Sequence, residues 1–360
     1  MRHPLGLRRV FVIPLALAAC LAATGTGSAA PPGGEQPRID FAQRHHALQH
    51  GGIVRAANSA ITCRRPVERT AQSCARTRAG RPGVNDDFDM FYIDVDDDPN
   101  TYNSSRGEVR LPPHSRVSYA RLYWGGNLRV GEQKPPKDNG RVLIAEPGGN
   151  YKPVIADTLV GHRVTGDADA FQASADVTDL VRGAGAGAYT VAQVNVAMGH
   201  SKAGAWGGWT LVVAYENAAE PLRHLAVWDG FDTTGERGSK HEVRLRGVPG
   251  PQSGGIAGVV AYDGDRGRRG DTVDVSAGDG RAVPLSDDAN PVGDALNSTI
   301  SEPGTPIRRT PAYANTLGYD SDVFPLAKAA GGQSGDLTVH LSSQDSAWVG
   351  VVFAAVDAKR

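Results

Sequence analysis

Three cysteines, three methionines and 6% aromatic residues in 360 positions exclude several chemistries at the outset. Beyond the first thirty residues only Cys63 and Cys74 remain, too few for a cysteine-ligated metal cluster or a dense disulfide framework. Neither sign of charge is in excess. Thirty-eight Lys and Arg against 39 Asp and Glu give a net charge of −1, which excludes the basic footprint of a nucleic-acid binder. Long apolar runs are also missing after the N-terminus, so no transmembrane helix is expected in the mature chain. The segment closest to a nucleophile elbow, Gly199-His200-Ser201-Lys202-Ala203, lacks the final Gly and leads toward a strand rather than a helix. No catalytic residue is assigned, and no cofactor is expected apart from the calcium reading below.

What is abundant is glycine and proline, 45 and 23 residues, in a chain that is 40% hydrophobic. That combination favours short strands between many turns around packed cores. The N-terminus reads as an export signal over residues 1–30. Arg8 and Arg9 precede the apolar run Val10–Ala19, and Gly27-Ser28-Ala29-Ala30 offers small residues for cleavage. Leu17-Ala18-Ala19-Cys20 matches a bacterial lipobox, which makes Cys20 a candidate for lipidation. The expected location is extracellular or at the cell surface. In an oxidising compartment Cys63 and Cys74 would close a short loop worth roughly 2–3 kcal/mol. Residues 31–51 are polar and read as a flexible leader, with His45, His46 and His50 on a solvated tail.

Alternating or dense apolar segments predict strands at 87–96, Val117–Trp124, Val142–Ala145, Tyr189–Met198, Trp209–Tyr215 and Leu222–Trp228. Val243–Leu245, Ile256–Tyr262, Thr272–Val275, Leu337–Leu341 and Trp348–Val356 continue the pattern. A weak internal repeat runs through them. Asp176-Val177, Leu180, Arg182, Tyr189-Thr190-Val191, Trp209 and Val212-Val213 correspond in order to Asp322-Val323, Leu326, Lys328, Leu337-Thr338-Val339, Trp348 and Val351-Val352. The expected fold is therefore all-β, two tandem β-sandwich domains of jelly-roll or Ig-like type, over residues 52–216 and 217–360.

Two acidic stretches are candidate sites. Asp94, Asp96, Asp98 and Asn100 fall at alternate positions of DVDDDPN, the spacing with which a loop wraps oxygen ligands around Ca2+. Pro99 and Ser105 stand where an EF-hand places its turn Gly and bidentate Glu, so the competing reading is a solvated acidic turn. The second stretch, Asp263 to Asp271, mixes Asp263, Asp265 and Asp271 with Arg266, Arg268 and Arg269, which favours a salt-bridged loop. Tyr102, Tyr123, Trp124, Trp206, Trp228 and Tyr319 lie at strand ends, where they stack on sugar rings or close sandwich cores.

DFDMFYIDVDDDPNTYNSSRGEVRLPPHSRVSYARLYWGG, GGWTLVVAYENAAEPLRHLAVWDGF and NTLGYDSDVFPL together resemble an uncharacterised family of exported bacterial β-rich modules, of the actinobacterial type. In larger relatives such modules precede tandem Ig-like surface repeats. The resemblance implies a secreted or surface β-protein and carries over no catalytic residue. The expectation is a non-enzymatic envelope or matrix protein that binds an envelope glycan or surface protein. The alternatives are a calcium-dependent glycan-binding module and a β-sandwich glycoside hydrolase using two separated carboxylates.

Overall fold

The first strand, β1 (Ile39–Ser59), has 21 residues and serves two sheets. It turns at Gly51, whose φ of +148° and close approach to the Tyr215 carbonyl leave no room for a Cβ. In the computed structural model, residues 39–96, 98–166, 168–234, 240–250, 254–304, 307–326, 335–344 and 346–358 are described. The expected export signal and Cys20 lie outside them.

The chain continues through β2 (Ile61–Pro66), the short helix α1 (Cys74–Arg78), β3 (Phe88–Tyr92), β4 (Ser104–Val109), β5 (Arg116–Asn127), β6 (Arg141–Ala145) and β7 (Lys152–Ile155). Then follow β8 (Thr158–Thr165), β9 (Ala168–Asp176), the helix α2 (Thr178–Ala184), β10 (Gly187–Ala192) and β11 (Gly207–Glu216). After the turn at 217–221 come β12 (Leu222–Thr233), β13 (Lys240–Pro249), β14 (Gly255–Tyr262), β15 (Thr272–Ala277) and β16 (Val283–Pro284). The short β17 (Ile300–Ser301) and β18 (Arg309–Thr310) lead to β19 (Tyr319–Pro325), β20 (Asp336–Ser342) and β21 (Trp348–Asp357).

The two halves repeat one strand order. In the first, an inner sheet β1-β11-β5-β9 faces an outer sheet β4-β10-β6-β7; in the second, β12-β21-β14-β19 faces β13-β20-β15-β16. Taken in chain order, the eight strands of one half occupy the same places as the eight of the other. This is the eight-stranded jelly roll, built twice. It also explains the sequence repeat, whose two copies fall on β9-β10-β11 and on β19-β20-β21. The chain is all-β, as expected.

Alternation along the inner strands makes three cores rather than two. Trp209, Leu211 and Val213 of β11 face the first outer sheet with Leu122, Trp124 and Ile144. Trp228, Val259, Val352 and Ala354 face the second with Val243, Val275 and Val339. The opposite faces, bearing Val212, Tyr123, Val227, Phe231, Tyr262, Tyr319, Trp348 and Phe353, meet one another in a middle core. The layers therefore stack as outer, inner, inner, outer, and the two halves share an apolar interface.

The reading of residues 31–51 as a flexible leader is corrected from Ile39 onward. Ile39–His50 pair antiparallel with β12, while Gly51–Ser59 pair with β11. His45 stacks on Tyr119 with ring centroids 4.3 Å apart, and Phe41 packs near His241 at 5.0 Å. Arg44 donates to Asp229 from Nε at 2.8 Å and from Nη2 at 2.7 Å. Polar side chains make the contacts that aliphatic ones usually make, which is why no strand pattern is visible there. In the opposite direction, β18 of the second half pairs with β4 of the first.

Candidate functional site

The ends of β8, β12 and β14, the starts of β9 and β21 and the segment that leads to β11 converge. There they enclose a cleft of about 380 Å3. It brings together two segments noticed in the sequence, Lys202 from the Gly199–Ala203 loop and Asp263, Asp265 and Arg268 from the acidic-basic stretch. Asn85 and Asp86, just before β3, complete its rim, and Trp348 forms a wall.

Asn85 ties the two jelly rolls together here. Its Nδ2 donates to Asp263 Oδ1 at 2.9 Å. A Cβ at Gly204, where φ is +64°, would sit 1.4 Å from Asn85 Oδ1, so that loop accepts only glycine. Arg268 contacts Asp265 at 2.8 Å and Asp86 at 3.5 Å. Burial raises the Asp86 carboxyl above its usual range, with Arg268 pulling against it. Trp348 is 1% exposed and stacks on Phe231 at 5.1 Å, and its indole Nε1 has no hydrogen-bond partner. The cleft thus combines carboxylate acceptors, a guanidinium, an ammonium and an indole wall. Such a mixture offers both hydrogen-bond donors and acceptors to a polar ligand.

The neighbouring serine is not prepared for nucleophilic attack. Ser201 Oγ is buried without a hydrogen-bond partner, and His200 Nε2 donates to the Asp86 carbonyl at 2.9 Å. A nucleophile needs its base within hydrogen-bond reach.

The other sequence candidates lie elsewhere. Asp94 Oδ1 accepts from Ser104 Oγ at 2.7 Å. Asp96 Oδ1 accepts from the Asp98 amide and from Thr101, and its Oδ2 from Tyr151. Asp98 Oδ1 accepts from Asn100 through both backbone and side chain. Burial pushes the Asp96 carboxyl up, but these hydrogen bonds, Tyr151 foremost, outweigh it and hold it below the usual range. The carboxylates are folded back on their own loop as acceptors. Among the described residues, which omit Asp97, no group of three His, Cys, Asp or Glu could hold a metal ion. Cys63 and Cys74 form a disulfide with Cα atoms 5.7 Å apart.

Of the loop aromatics, Tyr123, Trp124, Trp206 and Tyr319 are fully buried and Trp228 is 7% exposed. They close cores rather than present faces to a sugar. Tyr102, 38% exposed, is the exception; it lies 5.2 Å from Tyr92, with Lys134 over both rings.

Residues 88–245 match the model of a protein family of unknown function, DUF3344. The match begins at β3 and runs through the first jelly roll into β13 of the second. No curated protein matches the sequence. Among solved structures, the major capsid protein P2 from bacteriophage PM2 is 10% identical, with a TM-score of 0.20, covering 86% of this chain and 98% of that one. Infectious bursal disease virus, Gt strain, is 11% identical with a TM-score of 0.18, covering 92% and 76% respectively. At those scores neither bears on this chain.

The residues that build the cleft are scattered over six segments of the chain. Asn85, Thr233 and Trp348 carry no local signal of a site, since a shared cleft arises only when the two jelly rolls pack. The Gly199–Ala203 loop and the acidic stretch at 263–271 were the visible pointers.

Proposed function

We propose that this protein is an exported, non-enzymatic component of the cell envelope or extracellular matrix that binds an envelope glycan or surface partner. The observation that carries the reading is the mixed-charge cleft at the junction of two jelly rolls. Its polar groups are already engaged with one another, Arg268 with Asp265 and Asp86, Asn85 with Asp263. Such a site recognises a neutral polyhydroxylated surface by exchanging some of these bonds, without generating a nucleophile. The export signal expected over residues 1–30 and the Cys63–Cys74 disulfide are consistent with an oxidising destination. The middle core supports a scaffolding role, because it holds the segments that line the cleft on one body.

The test is binding of the purified protein to a panel of cell-wall and envelope glycans, read by calorimetry beside an Arg268→Ala variant. Saturable binding weakened at least tenfold by the substitution is expected. Equal binding by both proteins would remove the cleft from the reading.

A further inference from the structure

A second cavity, of about 440 Å3, shares no lining residue with the cleft. It lies beside the C-terminal half of β1, between the end of β4 and the segment that leads to β18, and Arg55 is part of its wall. Arg55 is only 4% exposed. Its Nη2 donates to the Ser301 carbonyl at 2.6 Å, while Nε and Nη1 have no hydrogen-bond partner. A buried guanidinium that lacks a carboxylate partner is expensive, costing several kcal/mol. Packing alone would be served better by Leu or Met.

Glu302 and Asp322 favour the charge on Arg55 without pairing with it, and a second guanidinium lies nearby. Arg309, half-buried, donates to Asn58 Oδ1 and to the carbonyls of Pro311 and Tyr313, none of them a carboxylate. Burial, followed by the charge on Arg55, pushes the Arg309 guanidinium down to about 10. Arg110 and Arg308 stand on the cavity wall with Glu108, which lies 4.0 Å from the first and 3.9 Å from the second. With Glu302 included, the wall carries three arginines and two glutamates, a net charge of one positive unit. That surplus matches a monoanion; a phosphate dianion would meet two carboxylates in excess of need. Leu111, Ile307 and Ala56 supply apolar wall for the rest of the ligand. The volume falls within the usual range for small-molecule sites.

We propose that this cavity binds a small organic monocarboxylate, with Arg55 as its charge partner and the aliphatic wall holding its body. A carboxylate pairs with a guanidinium through charge-assisted N–H···O bonds, and Arg55 has donors with no partner in the protein to make them.

The experiment is calorimetric titration of the full chain with hexanoate, hexanamide and inorganic phosphate as probes. Hexanoate binds saturably, and hexanamide, its neutral isostere, at least tenfold more weakly; phosphate is also weaker. Arg55→Met abolishes hexanoate binding while leaving the melting temperature of the free protein unchanged or higher, as expected of a charge kept for a ligand. Should that variant fail to fold, Glu302→Gln provides the second reading, and it tightens hexanoate binding several-fold by removing a competing carboxylate. No hexanoate binding, equal binding of hexanamide, tighter binding of phosphate, or an unchanged affinity in Glu302→Gln would each overturn the proposal. Because the cleft shares none of these residues, its glycan binding is unaffected by either substitution, and the two sites fail or succeed separately.

Discussion

Gln172 on β9 and Tyr262 on β14 join the two jelly rolls across the middle core. The Tyr262 hydroxyl donates to Gln172 Oε1 at 2.9 Å, and Gln172 Nε2 donates to the carbonyls of Gly230 at 3.0 Å and Gly350 at 3.1 Å. Gln172 is fully buried, and a Cβ at Gly350 would lie 1.7 Å from its Oε1. A polar network of this kind, satisfied on both sides, fixes the register of two otherwise apolar faces. Gln172→Leu leaves a hydroxyl and two carbonyls without partners. It is expected to destabilise the protein by about 2–4 kcal/mol, against about 1 kcal/mol for Tyr262→Phe. Because the middle core is shared, wild-type calorimetry shows one unfolding transition. Two resolved transitions would mean that the jelly rolls unfold independently.

Asp229 is a second tie. It is fully buried and accepts from Arg44 on β1 and from Tyr123 at 3.1 Å, with Arg121 Nε 3.8 Å away. Removing one member of a buried charged group leaves the others uncompensated. Asp229→Ala therefore costs about 3–5 kcal/mol in urea unfolding. It also frees residues 39–50, seen as faster amide exchange in that segment than in β11. Uniform protection along β1 in the variant would contradict the role given to Arg44.

Stability has a pH dependence of unusual sign around Asp320 and Asp322. Both are fully buried; burial raises both carboxyls, with the neighbouring charge adding to it at Asp320, and Asp322 is pushed up to about 7. Unfolded, each titrates near 3.9. Between about pH 4 and pH 7 the folded protein holds protons that the unfolded chain has released, so this contribution is full below pH 4 and is lost as pH rises. Asp320→Asn keeps an acceptor for the Thr299 amide, which Asp320 Oδ1 accepts at 3.0 Å, and removes the titration. Relative to wild type, its urea midpoint is expected to improve as pH is raised from 5 to 8. A constant difference over that range would rule out the shift.

Strands with aliphatic alternation, such as β5, β11, β14 and β21, were legible because one face of each meets a purely apolar core. The repeated β10-β11 and β20-β21 pairs were legible for the same reason, through their Trp and Val-Val positions. The first part of β1, together with β9 and β19, was not. Their inward positions carry Arg44, Gln172, Ser174, Ser321 and Asp322, polar groups whose partners lie on other strands, and a single strand cannot display a partner. Thr210 Oγ1, 2.7 Å from the Tyr319 hydroxyl and 3.1 Å from Ser321 Oγ, shows the same arrangement. For the cleft, the acidic-basic loop was visible, while Asn85 and Trp348 acquire a role only from packing. Arg55 gave no signal, since a single arginine in a strand reads as pointing to solvent.

The most direct test of the account is a titration of the purified protein with envelope glycans, in calcium and in chelator, with product release followed in the same samples. The account predicts saturable binding to a panel member, equal in both buffers, reduced at least tenfold by Arg268→Ala, and without turnover. Hydrolysis abolished by a single carboxylate-to-amide change at Asp86, Asp263 or Asp265 would contradict it, as would the absence of binding across the panel.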